Sequence, residues 1–529
     1  MSNHLRLRIP KVHSNPDDDP TTRSLMDAHR VAVRKISHRI SLYNKTKTPF
    51  RLHHGGSTNS TKQVSAVATV DTSTLNHVLR IDTLRKTCLV EPNVPMDALV
   101  DACLLHALVP PVIPEFPGIT TGGAFAGTAG ESSGFKYGFF DRNVNWVEVV
   151  LPTGEVVDAS RGGERKDLFE GTAGSFGTIA ITTLLELRLM DAKKYVHLKY
   201  LPTTDVAGTL SLMGEETESP SNDFVDAILF AKDRGVVVTG KITTDLPVGR
   251  AEQTFHRPGD PWFYLHAKDM AFNDARNRPI VDVVPLRDYL FRYDRGAFWM
   301  GSYAFQYFWL PFNRITRWLL DPFMHTRVMY HALHASNFAS HFIIQDLLLP
   351  AGYAQEFIEY VDHDFGFYPI WLCPFRVEGE LALRPLQSSQ DHNQPETRCD
   401  SKEVKYVNVG VWGPGSRSFS KFITQNRQLE SKVRELGGIK WLYAKAFYTQ
   451  DEFEAIYDQT SYNELRKKYG AEHLPSVYEK TRTDLTRSLK PSAESWSGWA
   501  AGFAWDVPFV QGGYGVWKTI RDGVVFKGG

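Results

Sequence analysis

The chain has 529 residues, of which 42% are hydrophobic and 12% aromatic, so it is long enough for two or three packed globular domains. Its 60 lysines and arginines equal its 60 aspartates and glutamates, which removes the electrostatic basis for broad contact with nucleic acid. The cysteines Cys88, Cys103, Cys373 and Cys399 lie far apart, without a CxxC or Cys/His cluster. This spacing favours a reducing compartment without disulfides and disfavours zinc or iron–sulfur ligation.

Two features of the sequence concern membranes. The first residues, MSNHLRLRIPKVHSNPDDDPTTR, carry charges where a secretory signal has its apolar region, so we expect no cleaved leader. No apolar run is long enough to cross a bilayer, so we expect no transmembrane helix. Residues 301–323 mix aromatic side chains with Arg314 and Arg317, a composition typical of a segment lying on a membrane surface and equally of aromatic core.

Helical and strand patterns alternate through residues 26–195. Residues 26–47 predict a helix, after which a double glycine breaks the periodicity. Alternating apolar runs over 63–95 predict strands, and MDALVDACLLHALVPP predicts a helix that Pro110 and Pro111 end. After a glycine-rich segment, WVEVVLPTGEVVDAS predicts a β-hairpin with a compact turn. This order predicts an α+β unit.

The character of the sequence changes after about residue 200, where longer mixed elements carry many aromatic residues. The polar run 384–403 predicts an exposed loop, and KYVNVGVWG predicts a strand after it. A charged helix over 421–438 is expected to end at a glycine pair, followed by a strand in KWLYAKAFYT and a helix over 451–470. The last segment is rich in glycine, serine and tryptophan and shows no long regular period.

Two distant segments rich in small residues, 53–61 and 120–134, carry the strongest chemical signal. Serial glycines let backbone N–H groups approach a ligand closely, so the two segments are suited to form an anion cradle for a dinucleotide pyrophosphate. A Rossmann fingerprint is disfavoured because the glycines lead into a hairpin, and no P-loop motif occurs. Tight turns between packed strands are the alternative explanation of the same glycines.

The ordered segments resemble the FAD-binding domain of the vanillyl-alcohol-oxidase (p-cresol methylhydroxylase, PCMH) superfamily. The residues that carry this resemblance are RLHHGGSTNST, the run from VPPVIPEFPG to PTGEVV, and DLFEGTAGSFGTIAITTLLELRL. Further segments, among them ESSGFKYGFF, IIQDLLLP, YPIWLCPF, LYAKAFYTQDEFEAIYD and VYEK, are similar to its Δ24-sterol reductase (24-dehydrocholesterol reductase) branch. The ordered set is more specific than the glycine segment alone, which identifies only the superfamily.

The resemblance implies an α+β fold, with a two-subdomain PCMH-type FAD-binding domain and an inserted α+β substrate (cap) domain. The implied divisions are an N-terminal extension (1–25), the FAD-binding domain (26–195), the substrate domain (196–430), a return to the flavin domain (431–480) and a tail of unknown role (481–529). Reductases of the animal and plant type carry an N-terminal membrane anchor, which we do not expect here. The predicted location is the cytoplasmic side, with peripheral contact to the endoplasmic reticulum membrane left open.

The resemblance also implies FAD as cofactor and NADPH as electron donor, with no metal. Three groups of residues are then predicted to bind FAD: Gly55, Gly56, Ser57 and Thr58; Thr121, Gly122, Gly123, Gly127, Gly130, Ser132, Ser133, Tyr137 and Gly138; and Gly174, Ser175, Gly177, Thr178 and Ile179. Superfamily members with covalent flavin often have histidine directly after the glycine pair, where this protein has Ser57. FAD is therefore predicted to be non-covalent, with attachment at His53 or His54 as the alternative.

The implied reaction adds a hydride to one carbon of an isolated alkene and a proton to the other, so an acid must lie beside the alkene in an apolar site. The candidate acids are polar groups set in apolar runs: Tyr368, Tyr443, Tyr448 and Asp346. Each also has an ordinary explanation, because a strand tyrosine usually satisfies its hydroxyl locally and a buried aspartate can cap or pair with an arginine. Aromatic density over 289–330 and 365–376 suits a long apolar pocket.

The sequence therefore predicts an FAD-dependent oxidoreductase acting on a CH–CH group. Hydride would pass from NADPH through flavin to a carbon–carbon double bond in the side chain of a sterol, as sterol biosynthesis requires. One alternative is an FAD-linked oxidase of an alcohol, sugar or lactone, which would use oxygen and need a polar pocket. Another is a non-catalytic flavin- or sterol-binding protein. The predicted partners are a sterol-like apolar small molecule and, peripherally, a membrane, with no nucleic acid.

Overall fold

Two antiparallel β-sheets of different size organise the protein in the computed structural model. The residues that the structure describes are 20–54, 68–247, 251–272, 280–336, 342–377, 404–416, 418–483 and 510–525. Their mixture of helices and strands confirms the predicted α+β content.

The part of the protein up to residue 191 forms the smaller sheet and the helices around it. Its strands are β1 (Phe50–His53), β2 (Ala68–Asp71), β3 (Val78–Asp82), β4 (Thr87–Val90), β5 (Leu108–Val109), β6 (Val144–Val150), β7 (Val156–Ser160), β8 (Ile181–Arg188) and β9 (Met190–Asp191). Its helices are α1 (Pro20–Lys45), α2 (Met96–Leu104), α3 (Thr121–Ala126), α4 (Gly134–Tyr137) and α5 (Lys166–Thr172). The sheet has the order β3-β4-β8-β6-β7, while β1 and β2 pair in parallel and β5 pairs with β9.

The part from residue 195 onward forms the larger sheet, in the order β13-β10-β12-β11-β15-β16-β14-β17. Its strands are β10 (Tyr195–Thr203), β11 (Phe224–Ala231), β12 (Arg234–Thr243), β13 (Ile280–Pro285), β14 (Phe342–Pro350), β15 (Ile370–Val377), β16 (Val404–Pro414) and β17 (Ile439–Lys440). Its helices are α6 (Val206–Glu218), α7 (Phe263–Ala271), α8 (Leu286–Leu290), α9 (Met300–Tyr307), α10 (Arg314–Leu319), α11 (Thr326–Ser336), α12 (Ala354–Asp364), α13 (Phe419–Glu435), α14 (Gln450–Ile456), α15 (Gln459–Lys468), α16 (Val477–Thr481) and α17 (Val510–Arg521). Within the described ranges, no helix is long and apolar enough to cross a membrane.

Several predicted elements occur close to their predicted positions. The helix predicted at 26–47 is α1, the hairpin is formed by β6 and β7, the strand KYVNVGVWG lies in β16, and the helix predicted at 421–438 is α13. The α2 prediction is wrong at its end, because the helix stops at Leu104 and β5 begins before the prolines. The loop predicted at 384–403 lies outside the described residues.

Three other segments differ from their predictions. The strand predicted in KWLYAKAFYT covers only β17, because the backbone then leaves the sheet and the N–H of Thr483 bonds to the carbonyl of Ala446. The helix predicted at 451–470 is divided into α14 and α15, since Asp458 caps the second helix by accepting from the N–H of Ser461 at 3.1 Å. Helix α17 lies in the region where no regular period was found.

The two sheets meet along a seam beside the second glycine segment. The N–H of Val225 in β11 donates to the carbonyl of Ser132 at 2.8 Å, which joins the larger sheet to the glycine segment by a backbone hydrogen bond. Phe375 of β15 packs on Phe139, with ring centroids 5.1 Å apart. The ring of Trp441 meets Phe139 edge-on at the same centroid separation, 5.1 Å. The seam therefore fixes the glycine segment against residues of the larger sheet.

Helix α1 is attached to the smaller sheet through a buried histidine. Its inner face carries His29, Val33, Ile36 and Ile40, which recur at helical spacing. The Nδ1 atom of His29 lies 2.8 Å from Glu91 Oε1 and its Nε2 atom lies 3.1 Å from an oxygen of Glu148. Burial lowers the pKa of His29, but the hydrogen bonds to the two carboxylates outweigh burial and raise that pKa to about 9.

This histidine gives a test of the fold. Because its pKa rises from 6.5 to about 9 on folding, its stabilising contribution is complete below pH 6.5 and is lost as the pH rises through 9. We expect His29→Gln to lower the free energy of unfolding by about 3–5 kcal/mol near pH 7, since it leaves two carboxylates without their cation. Thermal melts between pH 6 and 10 should show the difference from wild type shrinking as pH increases. The exposed His38→Gln on the same helix is the control, and a pH-independent difference would contradict this account.

Candidate functional site

A cavity of about 590 Å³ is lined by residues of both halves of the protein. One side, the glycine wall, consists of Gly122, Gly123, Gly127, Gly130 and Gly177, all of which the sequence predicted to bind FAD. The other side, the aromatic wall, consists of Phe116, Phe298, Tyr330, Trp371 and Trp412. The cavity therefore joins a small-residue surface to an apolar one.

Local structure explains why the glycine wall needs glycine. Helix α3 begins at Thr120, whose Oγ1 accepts from the N–H of Gly123 at 3.2 Å. A Cβ atom on Gly130 would lie 2.3 Å from the ring of Phe375, so any side chain there would force apart the seam between the sheets. Gly177 has a φ of +71°, a conformation that other residues adopt only at a cost. Packing at Gly130 and the backbone conformation at Gly177 therefore require glycine, and these glycines leave bare backbone at the surface of the cavity.

The remaining residues predicted to bind FAD occupy other places. Gly55, Gly56, Ser57 and Thr58 lie outside the described residues. The nine residues that are described but do not line the cavity are Thr121, Ser132, Ser133, Tyr137, Gly138, Gly174, Ser175, Thr178 and Ile179.

Several of these residues hold the glycine wall from behind. The hydroxyl of Thr121 donates to the carbonyl of Glu91 at 2.8 Å, and that of Ser133 donates to the carbonyl of Pro111 at 2.8 Å. The hydroxyl of Thr178 lies 2.7 Å from that of Tyr462. These hydroxyl groups hydrogen-bond to other protein groups and not into the cavity. The three residues therefore support the glycine wall structurally.

Two cations line the same end of the cavity as Gly177, and sequence reasoning missed both. Lys480 donates to the carbonyl of Phe176 at 2.5 Å, and its pKa is lowered to about 8 by burial and then by the charge of Arg51. Burial also lowers the pKa of Arg51, whose buried Nε has no hydrogen-bond partner among the described residues. An anion placed here would relieve both cations, which fits a dinucleotide pyrophosphate. In the sequence, only the position of Arg51 in RLHHGG and of Lys480 in VYEK, two segments of the family resemblance, could have indicated this role.

Asp346 and Tyr443, two of the four predicted catalytic residues, are brought together in the cavity. The hydroxyl of Tyr443 donates to one oxygen of Asp346, and the Nδ2 of Asn408 donates to the other at 3.0 Å. The indole N–H of Trp441 orients Asn408 by donating to its Oδ1 at 2.9 Å. Burial raises the pKa of Asp346 and raises that of Tyr443 well above its usual range, an effect that the Asp346 charge reinforces. In both groups burial therefore favours the protonated form over the charged one.

The other two predicted catalytic residues, Tyr368 and Tyr448, do not line this cavity. The hydroxyl of Tyr368 donates to Asp362 at 3.0 Å and its ring packs on the second hydrophobic core. Tyr448 is buried in the main core, where its ring lies 6.5 Å from that of Phe453. The hydroxyl of Tyr368 is thus satisfied locally, as is ordinary for a tyrosine, and Tyr448 contributes to the core.

A further buried acid, Glu115, lines the cavity and was missed from the sequence. Its Oε1 has no hydrogen-bond partner among the described residues. Burial raises its pKa well above the usual range, and the nearby Glu131 raises it further while Arg292 lowers it. Arg292 itself donates to Asp226 at 2.8 Å, so three carboxyl groups surround one guanidinium. In the sequence, the position of this acid within the apolar run VPPVIPEFPG could have indicated that it is buried.

The aromatic wall is closely packed around the acid pair. The ring of Phe298 lies 5.7 Å from that of Phe116, 5.0 Å from Trp412 and 5.1 Å from Trp371. Burial of such rings excludes water and leaves a surface for an apolar ligand. The predicted aromatic pocket is represented here by Phe298 and Tyr330 from 289–330 and by Trp371 from 365–376.

Comparison with known proteins agrees with this geometry. Residues 32–160 match the model of an FAD binding domain, so the protein contains an FAD-binding domain of the PCMH type. It is 30% identical over 418 residues to the Delta(24)-sterol reductase of Rattus norvegicus, and the matched region covers 77% of the present sequence and 76% of that protein. It is 29% identical over 416 residues to the Homo sapiens protein (77% and 76% covered), and 27% identical over 446 residues to the Arabidopsis thaliana protein (78% and 76% covered), both of the same name. The chain belongs to the Δ24-sterol reductase family of FAD-dependent oxidoreductases.

The two cations give a test of the cofactor site. We expect Lys480→Met to weaken FAD binding by about 10–100-fold, because it removes a cation with which a phosphate group of bound FAD would pair. Titration of the apoprotein with FAD, followed by flavin fluorescence, measures the affinity. Lys480→Arg should retain most of the affinity, and the exposed Lys467→Met should leave it unchanged. Equal affinities for Lys480→Met and wild type would show that the phosphates lie elsewhere.

Proposed function

We propose that this protein reduces a carbon–carbon double bond in the side chain of a sterol, with NADPH as the electron donor and FAD as the cofactor. The observation that carries the proposal is the cavity itself, where the glycine wall, the aromatic wall and a buried acid pair face a common space. Family membership supports the same conclusion, since the relatives bear the name Delta(24)-sterol reductase. An apolar sterol fits the aromatic wall better than a polar sugar or alcohol does.

The FAD site in this proposal comprises the glycine wall with Arg51 and Lys480, together with residues 55–58. We propose non-covalent binding, because Ser57 stands where covalent superfamily members often have histidine. The other predicted residues, such as Thr121 and Thr178, would hold the wall in shape. In the same proposal the FAD domain comprises 26–195 and 431–480 as two subdomains, and 196–430 forms the substrate, or cap, domain.

Bound FAD supplies the hydride chemistry that connects NADPH to the alkene. The protein must supply the proton, because an isolated alkene accepts hydride readily only when the other carbon is protonated toward a tertiary cation. We assign the proton to the Asp346–Tyr443 pair, in which burial raises the pKa of both groups. Asn408 holds the carboxyl in place, and the aromatic wall excludes the water that would otherwise quench the developing cation.

Glu115 is the competing acid in the same cavity. Its environment differs from that of Asp346, since it lies in the field of Glu131 and Arg292 and has no hydroxyl hydrogen-bonded to it among the described residues. We therefore assign proton delivery to the Asp346–Tyr443 pair and treat Glu115 as a buried acid of the cavity that is not the donor. Substitution of each acid in turn distinguishes these roles.

The proposed reaction has a direct assay. Purified, FAD-loaded protein is incubated without oxygen with NADPH deuterated at the transferred position and a Δ24-sterol such as desmosterol. We expect the saturated sterol, carrying deuterium on one of the two former alkene carbons. Oxygen-dependent oxidation of an alcohol, sugar or lactone with no effect of NADPH would support the oxidase alternative. Retained flavin and sterol binding without any product would support the non-catalytic alternative.

The acid pair has its own test. We expect Asp346→Asn and Tyr443→Phe to lower the rate of sterol reduction by about 10²–10⁴-fold, while NADPH still bleaches the flavin at the wild-type rate. Because the pKa of Asp346 is raised, activity should be full at low pH and fall as pH rises through that pKa. The matched control is Tyr368→Phe, which removes a hydroxyl outside the cavity. If Glu115→Gln lowered the rate of sterol reduction by a comparable factor while Tyr443→Phe kept full activity, the proton donor would be Glu115 instead.

A further inference from the structure

Large apolar side chains are exposed on one short stretch of the protein, residues 309–319. Trp309 is 84% exposed, Ile315 69%, Leu319 59% and Trp318 55%. Helix α10, which supplies three of these residues, contains no buried residue. We call residues 309–319 the docking patch. Monomeric soluble surfaces seldom gather apolar side chains in this way, so the patch indicates an interaction site.

The helix in the docking patch is well defined although none of its residues is fully buried. Asn313 caps α10 by accepting from the N–H groups of Ile315 at 2.9 Å and Thr316 at 3.1 Å. The hydroxyl of Thr316 accepts in return from the N–H of Asn313 at 3.3 Å, which completes a capping box. Local hydrogen bonds therefore form the helix, and its apolar side chains remain available to a partner.

The charge of the docking patch is basic. Arg314 and Arg317 form no ion pair with any described residue. The guanidinium of Arg317 stacks over Phe312 at 5.0 Å, and burial lowers the pKa of Arg317. Residues 309–319 contain no acid. Outside the patch, Asp321 is buried and bound to Arg295 at 2.7 Å, whereas the charge of the exposed Asp269 acts on Arg317 and raises its pKa against the effect of burial. Tryptophan, leucine and arginine together suit the boundary between anionic headgroups and acyl chains.

A second surface repeats this composition. Helix α17 exposes Trp517 and Ile520 and carries Lys518 and Arg521. It packs on α11, where His331 Nδ1 lies 3.0 Å from Thr519 Oγ1. Helix α11 in turn contacts the short 3₁₀ helix Asp321–Phe323, which follows the docking patch. The two apolar and basic surfaces are thus connected through α11.

The docking patch is also connected to the cavity through the backbone. Phe298 precedes the patch and Tyr330 follows it, and both line the aromatic wall. We propose that residues 309–319 dock on the surface of an anionic phospholipid bilayer, with the apolar side chains at the headgroup boundary. The choice of a bilayer as occupant rests in part on the proposed function, because a sterol resides among acyl chains. Docking would place the aromatic wall next to its substrate reservoir.

The experiment is co-sedimentation of the full-length, FAD-loaded protein with vesicles of phosphatidylcholine and phosphatidylserine. We expect binding, and a loss of at least about tenfold in the partition coefficient for the triple variant Trp309→Ser, Ile315→Ser, Trp318→Ser. The matched control is Leu84→Ser with Leu105→Ser, because these leucines are 84% and 86% exposed elsewhere. Arg314→Gln with Arg317→Gln should reduce binding to the anionic vesicles but hardly change it for phosphatidylcholine alone.

The flavin spectrum and thermal melt verify that each variant is folded. Wild-type protein that stays in solution, or a triple variant that binds as wild type does, would overturn the docking proposal. Sedimentation showing a dimer that the triple variant disrupts, without vesicle binding, would assign the patch to a second copy instead and also overturn it. Sterol reduction measured in detergent separates the two proposals: the triple variant should keep its activity there. Absence of that activity in wild type would count against the proposed function alone.

Discussion

The structure depends on the seam that joins the two sheets. A backbone hydrogen bond from Val225 to Ser132 and the packing of Phe375 on Gly130 hold the larger sheet directly against the glycine segment. Because the glycine wall comes from one half of the protein and the acid pair from the other, neither half contains the cavity alone. Any change that opens the seam therefore separates the proposed cofactor site from the proposed proton source.

The distribution of charge divides the cavity into regions with different chemistry. Arg51 and Lys480 make one end cationic, as an anionic phosphate group requires. Burial raises the pKa of Asp346 beside the aromatic wall, which favours the neutral acid over a free charge next to an apolar ligand. At both ends of the cavity burial acts against the charged form, since it lowers the pKa of Lys480 and raises that of Asp346.

The sequence predicted features that lie in continuous segments. The glycine segment 120–134 and the hairpin after it were found because their residues are neighbours in the sequence, whereas Gly177 and the family came from the resemblance. Arg51 and Lys480 are far apart in sequence, so their proximity could not be read from spacing. Of the four candidate acids, only three-dimensional packing shows that Asp346 and Tyr443 share the cavity while Tyr368 bonds to Asp362 elsewhere. The strand predicted in KWLYAKAFYT does not extend beyond Lys440, because the residues that follow, among them Trp441 and Tyr443, line the cavity instead of the sheet.

The central claim is that one cavity connects NADPH, FAD and a sterol alkene. The most direct measurement is an anaerobic absorbance titration of the FAD-loaded protein, first with NADPH and then with a Δ24-sterol. The account predicts that NADPH bleaches the oxidised flavin band and that the sterol restores it in proportion to the saturated product formed. A flavin that NADPH leaves oxidised, or a reduced flavin that the sterol does not reoxidise, would contradict it.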